Sequence, residues 1–204
     1  MKIKIRAVVF DAGGVLVDWE TICKKFAQEI GIDYQIFLEI FLAISFDPFN
    51  GSDLGKITTD EFFQKLTIAL KVPIKWKNWR KRFAKGFKRI EPTYKLLDLL
   101  KGKFKLAILS NSKKGLIAEW EDIGRIKEYF SLVIDSSEVK LMKPDPKIYK
   151  LTCKKLHLKP EECLFVDDDP VNIDVAGKLG FKTVHFKEPE NSVKLIRKIL
   201  YETI

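Results

Sequence analysis

The chain has 204 residues, 46% hydrophobic and 32% charged, which excludes a wholly disordered or collagen-like polypeptide. The longest unbroken apolar run, 40–44, is five residues, far short of the ~20 that a membrane-spanning helix needs, so no membrane span is expected. The formal charge of +9 is local: residues 71–90 hold nine basic residues and no acidic one, while the remainder carries 28 of each sign.

The opening residues, Met1 to Arg6, alternate basic and apolar side chains and never develop a signal-peptide core. Cys23, Cys153 and Cys163 have neither paired nor metal-ligand spacing. Reduced, buried thiols in a cytoplasmic protein are therefore expected. A buried strand is predicted over 7–10, ending at Asp11 and a tight turn at Gly13 and Gly14. Helical patterning follows over 19–30, 34–45 and 59–70, the last with Thr58 or Thr59 as a cap ahead of Glu61. Residues 47–55 read as a loop. Over 71–90, Trp76, Trp79, Phe83, Phe87 and Ile90 recur every three or four residues, which places them on one face of a basic amphipathic helix. That helix packs its aromatic face into a core with the lysines in water. The alternatives are an electropositive wall for an anionic substrate, or docking to nucleic acid or an acidic membrane surface.

From Pro92 the pattern alternates. Helix 92–100 is followed by strand 104–109, helix 113–120, an apolar run at 132–134 and helix 146–156. Strand 163–166, helix 171–179, strand 183–186 and helix 192–201 complete the chain. Such alternation implies an α/β fold with parallel strands and crossover helices, and it makes the helical block after the first strand an insertion.

In an open parallel sheet, ligands bind beyond the carboxyl ends of the strands. Asp11 follows the first strand, Ser110 and Asn111 the second, and Asp167, Asp168 and Asp169 a later one, with Lys143 before Pro144 in a loop between them. Gathered at one edge, these residues supply what phosphoryl transfer through an aspartate needs. Asp11 is a carboxylate nucleophile that needs no deprotonation near neutral pH. Asp11 and Asp168 offer hard oxygens to Mg²⁺, which screens carboxylate from phosphate. Ser110, the Asn111 amide and Lys143 donate to the phosphoryl oxygens.

The order of these motifs resembles the haloacid dehalogenase superfamily over essentially the whole chain. Asp11 in Val-Val-Phe-Asp-Ala-Gly-Gly-Val-Leu matches the first motif, which carries the nucleophile. Ser110-Asn111 matches the second, Lys143-Pro144 the third, and Asp167-Asp168-Asp169 with Asn172 the fourth. The resemblance implies a Rossmann-like core, residues 1–17 and 91–204, with a small all-helical cap, residues 18–90, closing over the substrate. It also implies catalytic Asp11 and Lys143, substrate contacts from Ser110, Asn111 and Lys143, and a Mg²⁺ site of Asp11, Gly13, Asp167 and Asp168. Within that set Asp167 is expected to orient Lys143 or a loop. Phosphatases of this family usually carry a second aspartate two residues after the nucleophile as general acid and base. Here Gly13 stands there. Its carbonyl still serves a metal, but a missing proton donor costs on the order of 10²–10⁴ in rate.

The expected activity is Mg²⁺-dependent hydrolysis of a small phosphate ester through an aspartyl-phosphate. A 2-haloacid dehalogenase, which also lacks the second aspartate but needs no metal, is disfavoured by the acidic run at 167–169. The remaining alternative is a catalytically weak protein that binds nucleic acid through the basic helix at 71–90.

Overall fold

The computed structural model describes residues 4–72 and 75–201. Strand β1 (Ala7–Phe10) is followed by four helices, α1 (Trp19–Glu29), α2 (Tyr34–Phe46), α3 (Thr59–Ala69) and α4 (Trp76–Gly86). Helix α5 (Glu91–Leu100) leads into β2 (Lys105–Ser110), then three short helical turns and β3 (Leu132–Asp135). Helix α6 (Pro146–Leu156), β4 (Cys163–Asp167), α7 (Pro170–Lys178), β5 (Lys182–His185) and α8 (Pro189–Tyr201) complete the order.

The five strands are parallel and ordered β3-β2-β1-β4-β5. Strand β1 is central, with Phe10 level with Ile108 on one side and Val166 on the other. The strand order reverses at β1, where such sheets open a crevice. Alternate strand residues face opposite layers. Val8, Phe10, Leu106, Ile108, Leu164 and Val166 join the larger core with the insertion helices, α5 and α8. Ala7, Val9, Ala107, Leu109 and Phe165 join the smaller one, against Ile148 and Tyr149 of α6 and Ala176 of α7. The three cysteines are buried and unpaired. Among the described residues no helix is long and apolar enough to cross a membrane.

The insertion leaves and re-enters through adjacent chain segments. Val17 and Arg89 form an antiparallel bridge, flanked by hydrogen bonds from Asp18 N to Lys88 O (2.9 Å) and from Ile90 N to Leu16 O (3.0 Å). Asp18 then caps α1, its carboxylate accepting from the Thr21 amide and hydroxyl. Thr58 and Glu61 form the reciprocal capping box that their spacing suggests, so Thr58 is the cap of α3.

Helix α4 occupies only part of the predicted helix 71–90, of which residues 73 and 74 lie outside the described residues. Trp79 and Phe83 are buried, and Trp79 stacks on Phe26 at 5.2 Å. Lys75, Lys81 and Lys85 are exposed, Arg80 pairs with Asp60 and Glu119, and Arg82 pairs with Glu29. The helix predicted over 113–120 is reduced to Leu116–Glu119, because Gly115 precedes it at φ +80° and breaks the first turn. The last strand sits one residue earlier than the pattern suggests.

Candidate active site

Adjacency of β1, β2 and β4 brings the predicted site residues together at the carboxyl edge of the sheet. Asp11 follows β1 and takes the Val166 carbonyl with its amide (2.8 Å). Lys143 arrives from the loop before α6, in a cis peptide with Pro144, and is almost wholly buried. Its ammonium lies 2.9 Å from Asp11 Oδ1 and 2.6 Å from Asp167 Oδ2. Asn111 holds the lysine from behind: Oδ1 accepts from Lys143 N (2.8 Å) and Nδ2 donates to Lys143 O (2.9 Å). Both polar atoms of the Asn111 side chain are thus engaged in positioning Lys143. Ser110, buried at the end of β2, makes one long contact, to Asn111 O at 3.4 Å, and keeps its hydroxyl available.

Oxygens of Asp11, Asp167 and Asp168 lie within 4.8 Å of one another. Asp167 is saturated by the protein. Besides Lys143 it accepts from the Asp169 amide (2.8 Å) and from Asn172 Nδ2 (3.1 Å). Asp169 caps α7 through the Val171 amide. Asp11 and Asp168 are therefore the carboxylates left to face a ligand. Three carboxylates and one ammonium sum to −2 when all are ionised, and the proton affinities register the imbalance. Burial, opposed by Lys143 and reinforced by Asp167 and Asp168, pushes Asp11 up to about 8. Burial and the Asp167 charge push Asp168 up to about 6. Burial works against the Lys143 charge, yet Asp11 and Asp167 outweigh it and raise its pKa. Hard oxygens with an excess of two negative charges suit a divalent cation such as Mg²⁺.

The two glycines have separate physical roles. Gly14 has φ +72°, and a Cβ there would fall 2.1 Å from Asp168 Oδ2, so only glycine lets that carboxylate stand over the turn. Gly13 has no such backbone demand, but a Cβ would meet Trp19 Cδ1 at 2.9 Å. The space of a side chain at position 13 is thus taken by an indole ring. Gly14→Ala should lower Tm by roughly 4–10 °C through backbone strain and the displaced Asp168, which thermal unfolding will measure.

A cavity of about 350 Å³ opens on Asp11, Gly13, Ser110, Asn111, Lys143 and Asp168, roofed by insertion helices. Among the described residues no lysine or arginine of 71–90 lines it; Phe83 and Phe87 do. The alternative of an electropositive wall is not met among the described residues, because the helical period that turns the aromatic face inward turns the basic face to solvent. A polar group that the motifs did not reveal closes one side. Lys113, 4% exposed, lies 3.1 Å from both Asp53 Oδ1 and Ser45 Oγ. Its ammonium sits over the Phe62 and Phe41 rings at 4.2 and 4.5 Å. The available sequence signal was its place in the loop directly after β2. The loop at 47–55, polar as predicted, is docked on the sheet edge: Ser136 Oγ donates to Asp53 O (2.6 Å) and Lys140 Nζ to Gly55 O (2.9 Å).

A family model for haloacid dehalogenase-like hydrolases matches residues 5–180. The chain is 26% identical to D-ribitol-5-phosphate phosphatase of Bacteroides thetaiotaomicron, over 92% of this chain and 93% of that one. It is 29% identical to (S)-2-haloacid dehalogenase 1 of a Pseudomonas species, over 88% and 83%. Among solved structures, a magnesium complex of a HAD family enzyme from Bacteroides thetaiotaomicron superposes with TM-score 0.74 at 27% identity, covering 95% of this chain and 99% of its own.

Proposed function

The chain belongs to the haloacid dehalogenase-like hydrolases, and from that premise we propose that it is a Mg²⁺-dependent phosphomonoesterase of a small molecule. The carrying observation is the carboxylate excess: Asp11, Asp167 and Asp168 lie within 4.8 Å of one another, and a single ammonium, that of Lys143, pairs with two of them. Asp11 Oδ attacks phosphorus, forming the aspartyl-phosphate as the ester P–O bond breaks and the alcohol oxygen departs. Attack by water on phosphorus then releases phosphate and restores Asp11. Lys143 holds Asp11 in place and, with Ser110 and the Asn111 backbone, donates to the phosphoryl oxygens. Asp11, Asp168 and the Gly13 carbonyl hold Mg²⁺, with Asp167 fixing the cluster from behind; the ion supplies charge screening between nucleophile and substrate. Residues 18–90 form the cap, hinged at the Val17–Arg89 bridge, and residues 1–17 and 91–204 the catalytic core. No side chain at position 13 protonates the departing oxygen. Asp18 does not replace one, since its carboxylate is spent on capping α1.

The second reading, halide displacement by Asp11 from a 2-haloacid, is supported by Gly13 and by the dehalogenase relative. Release of phosphate from a panel of esters, and of halide from 2-haloacids, each with and without Mg²⁺, separates the two. Phosphate release that stops with chelation supports the phosphatase; halide release indifferent to chelation overturns it. Asp168→Ala should lower phosphate release at least a hundredfold and weaken Mg²⁺ binding in calorimetry. Unchanged Mg²⁺ affinity in that variant would remove Asp168 from the metal site.

A further inference from the structure

The cavity of about 350 Å³ is large enough for a small organic ligand. Away from the carboxylates its walls are largely apolar, with Trp19, Leu38, Phe41, Leu42, Phe87 and Trp120 among them. The exceptions are the indole N–H groups of Trp19, beside Gly13, and of Trp120, which has no hydrogen-bond partner among the described residues. Most polar side chains on the same walls are already engaged within the protein. Ser45 Oγ donates to Phe41 O (2.8 Å) and accepts from Lys113. Asp53 Oδ1 accepts from Lys113 and from Ser52 Oγ (3.0 Å). Asn111 is committed to Lys143, and Asn172 to Asp167. Lys113 is neutralised by Asp53 and seated on two aromatic rings.

A ligand hydroxyl entering this space gives up water for walls with few vacant partners, which is costly. A second anionic group meets a lysine whose charge is already matched, and Asp53 beside it. Methylene and aryl groups lose nothing there and leave water. Resting on the phosphomonoesterase reading above, we propose that the substrate is the monophosphate of an apolar alcohol or phenol, its compact hydrocarbon body lying against α2. Polyol phosphates and bisphosphates are poor ligands for such a cavity.

The test holds the leaving group nearly constant. Mg²⁺-supported kcat/KM is measured for n-alkyl phosphates from ethyl to hexyl, for glycerol 3-phosphate and for ribitol 5-phosphate, all esters of primary alcohols. The polyol alkoxides are the better leaving groups, so chemistry alone favours them. Burial of each methylene should raise kcat/KM about fourfold until the cavity fills. Hexyl phosphate should then exceed ribitol 5-phosphate by about a hundredfold or more. Leu38 and Leu42 lie one turn apart on α2 and are half-buried, so they tolerate polar replacements. Leu38→Asn and Leu42→Asn should each cut the hexyl-to-ribitol ratio about tenfold, and the ratio is insensitive to partial loss of folded protein. A flat alkyl series, a polyol ester that equals or beats hexyl phosphate, or a ratio unmoved in both variants overturns the proposal and leaves the phosphatase reading standing. Absence of phosphate release from every ester with Mg²⁺ overturns both.

Discussion

Asp11→Asn should lower turnover of every phosphate ester at least about a thousandfold while the protein stays folded. The carboxamide keeps the shape of the side chain and an oxygen that can still accept from Lys143 and from the Ala12 amide, which in the native protein lies 2.6 Å from Asp11 Oδ1. It lacks the anionic oxygen that attacks phosphorus and displaces the ester oxygen. The fold has little to lose, because Asp11 is one of three like charges and burial already holds its proton affinity up at about 8. Removing the charge that Asp11 carries above that pH relieves repulsion on Asp167 and Asp168. Tm should therefore hold near neutral pH, and rise in the variant relative to the native protein above about pH 8. Phosphate release by the purified variant above about one per cent of the native rate would assign the nucleophile elsewhere.

Lys143→Met should be the most destabilising single substitution at the site. The methionine matches the length of the lysine stem, so packing beside Phe165, whose ring centroid lies 5.7 Å from the ammonium, is largely kept. What goes is the only cation in contact with the Asp11 and Asp167 carboxylates among the described residues. Leaving buried charge unpaired costs about 3–5 kcal/mol, which for a chain of this size lowers Tm on the order of 10 °C. Turnover should fall at least a hundredfold, since both the grip on Asp11 and a donor to the phosphoryl group are lost. Saturating Mg²⁺ should then raise Tm more in the variant than in the native protein, because the divalent ion compensates charge that Lys143 no longer balances. Equal Mg²⁺ shifts in both proteins would place the ion away from these carboxylates.

Asp11, Ser110, Lys143 and Asp168 were legible in the sequence because each follows an apolar strand or precedes a helix start, and the parallel order converts those positions into one edge. Asn111 was legible as a residue of the site but not as the clamp on Lys143, since that contact spans 32 residues and depends on loop geometry. The Lys113–Asp53 pair was not legible at all. A lysine after a strand and an aspartate in a polar loop each read as solvated, and only docking of the loop across 60 residues takes them out of water. The basic segment shows the reverse case. Its aromatic period was plain, and Trp79 and Phe83 are buried accordingly, whereas the net charge alone left a substrate wall or an anionic partner as alternatives. Periodicity decided, because burying the aromatic face is favourable and leaving the lysines in water costs nothing.

The bridge between Val17 and Arg89 has a consequence for how this protein can diversify. Because the intervening helices depart and return through hydrogen-bonded neighbours, they join the sheet through one covalent connection whatever their number or length. The ion pairs Lys113–Asp53 and Arg80–Glu119, which also tie the insertion to the core, are made outside the strands. A different helical segment joined at the same two residues would leave the positions of β1 and β2 undisturbed. The hydrocarbon walls on α2 and α4 could then be exchanged wholesale while Asp11, Lys143 and Asp168 keep their places. Selection can in this way rewrite what is recognised without rebuilding what reacts.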